Sequence, residues 1–235
     1  MLAVTAAAAV AAAGAAAPGP QAGGCATSSR WLARWTQTFS GRVLRPTHVY
    51  RLPGRTPFAA LRTEDAYGFP TTVSLLERRT SCGVRWYRVR FAAWPNGSSG
   101  WVRASDVKTT RLRARIVIDE SRRRLVLYKR GRVVLSTPAA IGKPSTPTPL
   151  GSFFVTQRFV VSPSTGPYGP RAIGISAFSE TLRSWVDGGP IGIHGTNERF
   201  SIGEPVSHGC VRLPNAAIVR LFAVTPLGTP VLIRR

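Results

Sequence analysis

The chain has 235 residues, 43% of them apolar and 9% aromatic, enough for one large domain or two small ones with real cores, which excludes disorder over its whole length. It carries 32 basic residues against 10 acidic, a net charge of +22, and the basic residues are arginine except for Lys108, Lys129 and Lys143. The excess divides evenly: residues 25–112 hold 15 basic and 4 acidic side chains, residues 113–235 hold 17 and 6, and the longest basic run is Arg122-Arg123-Arg124. That spread excludes a basic arm of the kind that grips nucleic acid, so no nucleic-acid partner is expected; it points to a molecule working against a diffuse polyanionic surface.

Residues 2–17 are Ala, Val, Leu, Gly and Thr only, no charge precedes Arg30, and Pro18, Gly19 and Pro20 break the run. Residues 1–24 therefore read as an export signal, too short and too weakly apolar for a membrane span. Ala22-Gly23-Gly24-Cys25 sets small residues before a cysteine, as a bacterial lipoprotein site does; the alternatives for Cys25 are a plain linker position or a disulfide to Cys82. Either way Cys210 is the odd thiol of three. The location expected is the cell wall or the outer side of a bacterial membrane.

A linker is expected over 25–40, then short strands and turns over 41–108. Val73–Leu76 is one apolar strand. Arg85–Phe91 is another, with Tyr87, Val89 and Phe91 on one face and Arg88 and Arg90 on the other, followed by a turn at Pro95-Asn96-Gly97 and the strand Gly100-Trp101-Val102. The segments RWYRVRF and NGSSGWVRASDV resemble the last strands of SH3-type barrels, which in exported wall enzymes serve as binding modules. The competing reading makes Trp86 and Trp101 core aromatics of any small β-domain.

From Ile116 the pattern tightens. Ile116–Ile118, Leu125–Tyr128 and Val133–Leu135 form a meander with a turn at Arg130-Gly131, and Ser145–Gly151 is a proline-fixed loop before a strand at 152–156. Residues 161–170 read as a flexible Ser/Gly/Pro loop. One helix starts near Pro214 or Asn215, buries Ile218, Leu221 and Phe222, and stops before Pro226; Val231–Ile233 is the last strand.

Chemistry concentrates in two segments, Ile191-Gly192-Ile193-His194-Gly195-Thr196 and Ser207-His208-Gly209-Cys210-Val211-Arg212. A thiol at its ordinary pKa is only a few per cent thiolate at neutral pH, so a cysteine nucleophile needs a base within hydrogen-bond reach. By spacing alone His194 and His208 both qualify, since His208 stands two residues from Cys210 and shares its face in an extended loop. Gly209 permits close approach and frees backbone N–H groups for an oxyanion hole. A zinc site made of His194, His208 and Cys210 is the competing arrangement.

IHGT followed by SHGCVRL is similar to the signature of the L,D-transpeptidase catalytic domain, the YkuD-type fold, and the resemblance runs over residues 113–235 through STPTPLGSF and PLGTPVLI. It implies a mostly β protein, an SH3-like small β-barrel followed by a YkuD-type β-sandwich with a short helix. It implies a peptidoglycan acyl transfer without metal or other cofactor: Cys210 attacks the third residue of a stem peptide, expels D-alanine and holds a thioester until an amine of a neighbouring stem takes the acyl group. His194 is then the base, oriented by the carbonyl of Gly195. Ser207, His208 and Gly209 line the donor site, Gly209 and Cys210 supply oxyanion N–H groups, and Arg212 pairs with a stem carboxylate. Stem peptides are the expected partners, with anionic wall polymers as a second surface; the oligomeric state is not fixed by the sequence. An L,D-carboxypeptidase, in which water resolves the thioester, and a non-catalytic wall-binding protein are the alternatives. The cysteine-before-histidine order of papain-like and NlpC/P60-type peptidases and the long His-to-Cys interval of sortases do not fit.

Overall fold

Residues 26–184 and 189–235 are described by the structure, a computed structural model; the expected export signal and Cys25 lie outside the described residues. The N-terminal half is an all-antiparallel sheet of eight strands: β1 (Thr27–Trp31), β2 (Thr38–Val43), β3 (Thr47–Tyr50), β4 (Pro57–Leu61), β5 (Thr72–Ser81), β6 (Val84–Arg90), β7 (Ser99–Arg103) and β8 (Val107–Leu112). Their order is β4-β3-β7-β6-β5-β2-β8, with β1 also on β5. At ten residues β5 is long enough to serve two neighbours on one edge, β2 along Thr72–Leu75 and β1 along Glu77–Ser81. Val43, Val49, Val73, Leu75, Val89, Phe91, Val102 and Val107 form its core.

Two expectations change here. The stretch expected to be a linker contains β1 and the start of β2; β1 is exposed throughout and lacks any apolar alternation, so only its pairing with β5 makes it a strand. Val89 on β6 and Phe91 just beyond it are buried as expected and Tyr87 is half-buried, but Trp86, of the opposite parity, is buried too. Tyr50 meets its ring edge-on at 5.4 Å, and Arg103 and Arg79 lie over Trp86 and Trp101, so aromatic and guanidinium groups cover the second face.

The C-terminal half holds β9 (Ala114–Asp119), β10 (Arg124–Lys129), β11 (Arg132–Pro138), β12 (Ile141–Gly142), β13 (Gly151–Val160), β14 (Arg171–Phe178), β15 (Pro190–His194), β16 (Pro205–Ser207), β17 (Val211–Arg212), α1 (Asn215–Val224) and β18 (Pro230–Arg234). Mostly β with one short helix, it is ordered β11-β10-β9-β18-β13-β14-β15-β17. Both residues of the Arg130-Gly131 turn have positive φ, the geometry whose twist matches the β10–β11 hairpin it joins.

The long strand β13 changes partners midway. Gly151–Phe154 pair with β18, Val155–Val160 pair with β14, and the register shifts between Val155 and Gln157. A strand that passes between two half-sheets makes a corner, and both halves then enclose one core of Ile116, Ile118, Leu125, Leu127, Phe153, Ile173, Ile193, Leu213 and Ile233. The helix closes that core with Ala217, Ile218 and Leu221, while Phe222 is half-buried beneath the Arg158 and Arg171 guanidiniums. Strand β14 is not among the strands predicted above, although Ile173, Ile175 and Ala177 alternate toward the core.

The halves touch through polar and aromatic contacts. Gln157 Nε2 donates to Asp65 Oδ2 at 2.6 Å, Phe69 packs edge-on to Phe159 at 4.9 Å, and the Asn96 amide exchanges two hydrogen bonds with the Phe178 backbone. Cys82 is disulfide-bonded, and Cys210 is the free cysteine among the described residues.

Candidate active site

Parallel pairing of β15 with β17 creates the site. Ile193 lies opposite Val211 and His194 opposite Arg212, which sets Cys210, one residue before β17, alongside Gly192. The Gly192 N–H donates to Cys210 Sγ at 3.4 Å. Along a strand every second side chain shares a face, so His194, Cys210 and Arg212 gather on one side of the β15–β17 pair. His208 is exposed. Among the described residues no three His, Cys, Asp or Glu side chains converge as a metal-holding group.

His194 is 5% exposed, and its Nδ1 lies 2.6 Å from the carbonyl oxygen of Gly195. A carbonyl only accepts, so Nδ1 carries the proton and Nε2 keeps its lone pair. Burial pushes the imidazole pKa down to about 4, against the opposing pull of the Gly195 carbonyl and with a smaller push from Arg212. Burial also raises the Cys210 thiol, opposed by the Gly192 N–H and by Arg212. At neutral pH the resting pair is therefore a thiol and a neutral imidazole rather than an ion pair.

The low imidazole pKa has a thermodynamic counterpart. An unfolded histidine takes up its proton below about pH 6.5, whereas folded His194 resists protonation down to about pH 4. The folded state binds fewer protons in that window, so stability falls as pH drops from 6.5 to 4, by about 3 kcal/mol from this residue. Chemical unfolding of the wild-type chain and of His194→Gln at pH 7 and pH 4 should show the wild type losing about that much more; parallel losses would exclude the effect.

The loop that presents Cys210 is held by its own side chains. The Gly209 N–H donates to Ser207 Oγ at 3.0 Å, and the Ser207 hydroxyl donates to the Cys210 carbonyl at 2.5 Å. The Gly209 N–H, one of the two expected oxyanion donors, is engaged here by the buried Ser207 hydroxyl. Lys143 and the Ser145–Gly151 loop that follows it brace the same segment: the Lys143 N–H and Thr146 Oγ1 both donate to the Ser207 carbonyl, at 3.0 and 3.1 Å. Parallel pairing of β12 with β16 completes the brace. Arg212, expected to face a stem carboxylate, is ion-paired through Nη1 with Glu198.

Sequence reasoning assigns no site role to Tyr168, Asn215, Glu198 or Gly192, although Asn215 is read as a helix start and Gly192 lies in the segment that carries His194. Tyr168 lies in the loop read as flexible, yet its ring meets the His194 imidazole edge-on at 4.9 Å. That loop is closed by hydrogen bonds from Val161 to Pro170, Gly166 to Pro163 and Gly169 to Gly166. Asn215, first residue of α1, accepts the Thr196 N–H on Oδ1 at 2.8 Å and so holds the chain just beyond the imidazole. The Gly-Pro-Tyr-Gly-Pro context of Tyr168 is a local signal of a shaped turn. Nothing local marks Asn215 or Glu198, whose partners lie 19 and 14 residues away.

The YkuD family model, described as the L,D-transpeptidase catalytic domain, matches residues 113–233. A Bacillus licheniformis protein assigned as L,D-transpeptidase YkuD is 38% identical over 118 residues, 50% of this chain and 63% of that one. An Escherichia coli K12 protein assigned as L,D-transpeptidase YbiS is 37% identical over 131 residues, 49% of this chain and 43% of that one. The chain thus spans less than two thirds of the length of these relatives. Among solved structures, the Enterococcus faecium L,D-transpeptidase is 29% identical, with 51% of this chain and 49% of that one covered and a TM-score of 0.40.

Proposed function

This chain belongs to the YkuD family of L,D-transpeptidase catalytic domains, and from that membership we propose that it cross-links peptidoglycan stems by thiol acyl transfer at Cys210. The observation that carries the reading is the Gly195 carbonyl on His194 Nδ1, because it leaves Nε2 as a lone pair on an imidazole that is neutral at pH 7.

As Sγ attacks the carbonyl carbon of the third stem residue, its proton passes to Nε2 and the C–S bond forms. The Cys210 N–H is the candidate donor to the developing oxyanion. Nε2 then gives the proton to the departing D-alanine nitrogen as that C–N bond breaks, leaving the thioester. An amine of a neighbouring stem attacks in turn, loses a proton to Nε2, and expels the thiolate, which regains it. Arg212 acts through its field, since the same guanidinium opposes the burial of Cys210 and favours its thiolate as the proton leaves. Ser207 and Gly209 shape the nucleophile loop, and exposed His208 borders the donor side.

Around this chemistry, residues 41–108 are read as an SH3-like module and 113–235 as a β-sandwich catalytic domain. The Cys82 disulfide supports an exported location. No helix among the described residues is long and apolar enough to cross a membrane.

Incubation with tetrapeptide muropeptides tests the reading. Dimers linked 3→3 and a carbapenem adduct on Cys210 are expected. Tripeptide without dimer would mean that water resolves the thioester, and no adduct on the folded chain would overturn the enzyme reading.

A further inference from the structure

We propose that the groove along β1 and β5 binds an anionic polymer of phosphodiester-linked sugars or polyols. Arg30, Trp31, Arg34, Phe39, Arg78 and Tyr87 are among the residues lining a cavity of about 250 Å³ in which no Asp or Glu takes part. The register of β1 sets Arg30 directly opposite Arg78, and both are exposed. Like charges facing across a sheet repel and cost stability. Among the described residues no carboxylate forms an ion pair with Arg30, Arg34 or Arg78. A juxtaposition that is unfavourable by itself becomes favourable when an anion sits between the two guanidiniums, whose forked donors match phosphate oxygens.

Aromatic surface accompanies the charge. Trp31 is 61% exposed, and Phe39 and Tyr87 line the groove beside it. Guanidiniums beside an exposed indole and two half-buried rings suit a chain that alternates charged phosphates with the C–H faces of sugars or polyols. The cavity falls below the roughly 300–1,000 Å³ of drug-sized sites, which suits a short stretch of an extended polymer better than a whole enclosed small molecule. Single-stranded nucleic acid offers similar groups, but the disulfide at Cys82, in the turn that follows β5, belongs to an oxidising compartment. The groove lies on the N-terminal sheet and shares no residue with the Cys210 site, so its occupancy does not depend on acyl transfer.

Binding of soluble poly(glycerol phosphate) to the full chain, measured by calorimetry at two salt concentrations, tests the proposal. The double variant R30Q/R78Q should bind about tenfold more weakly and with a shallower salt dependence. Its thermal unfolding midpoint should not fall, because the substitutions remove a repulsive pair. Arg34→Gln, outside any strand, should weaken binding without touching the β1–β5 pairing. Wild-type affinity in both variants would overturn the proposal, as would tighter binding of single-stranded DNA with the same number of phosphates. Neither readout uses Cys210, so a failure here is distinct from a failure of acyl transfer.

Discussion

Replacing His194 by alanine is expected to slow acylation of Cys210 by about 10²–10⁴-fold, the usual contribution of a positioned general base. Replacing His208 should change the rate by no more than a few-fold. The contrast follows from placement. His194 is buried, sits on the strand paired with the Cys210 segment, and has its tautomer fixed by the Gly195 carbonyl, whereas His208 is exposed. The pH profile carries a second signature. Because His194 titrates at about 4 and burial lifts the Cys210 thiol above its ordinary range, the wild-type acylation rate should stay level across neutral pH and fall only as the imidazole protonates near pH 4. His194→Ala should lose that acid limb. Mass-spectrometric timing of a carbapenem adduct measures both quantities. Full activity in His194→Ala together with loss in His208→Ala would reverse the assignment of the base.

Gly169→Ala is expected to damage fold and site together. Gly169 has φ +59°, where a Cβ is strained, and that Cβ would lie 2.4 Å from Asn215 Oδ1 and 2.7 Å from the Gly195 Cα. Neither neighbour yields easily: Asn215 Oδ1 holds the Thr196 N–H, and Gly195 carries the carbonyl that orients His194. Strain at a special φ combined with a backbone clash puts the destabilisation at roughly 2–4 kcal/mol. The folded fraction should also acylate more slowly, because relief of the clash moves the Gly195 carbonyl off Nδ1. Urea unfolding gives the first quantity. The acylation rate per folded molecule gives the second. A wild-type midpoint and rate would show that the Gly169–Gly195–Asn215 contact is soft and does not position the base.

Much of the C-terminal half was legible because its signals are local. Alternation in Ile116–Ile118 and Leu125–Tyr128, the Arg130-Gly131 turn, and the Ile218, Leu221 and Phe222 stripe each arise within a few residues, and the strands and helix stand where those patterns place them. Strand β14 shows the same alternation yet was missed, its signal overshadowed by the Gly- and Pro-rich loop before it. Strand β1 was illegible for a different reason. Thr27-Ser28-Ser29-Arg30-Trp31 places no side chain in the core, so its conformation comes from the backbone hydrogen bonds that β5 offers.

The site divides along the same line. That Cys210 is the odd thiol of three and that two histidines stand near it in sequence are properties of composition and spacing, and the sequence determined them unaided. The resemblance singles out His194, and strand pairing sets it beside the Cys210 segment in a buried position while His208 is exposed. Only the tertiary structure decided that Ser207 engages the Gly209 N–H, that Glu198 holds Arg212, and that Tyr168 and Asn215 close on the imidazole and the chain beyond it. Each of these contacts depends on where separate loops end after the strands have paired. Side-chain periodicity encodes which face a residue takes within its own element, but a carboxylate or ring brought in by another loop leaves no trace in the local pattern.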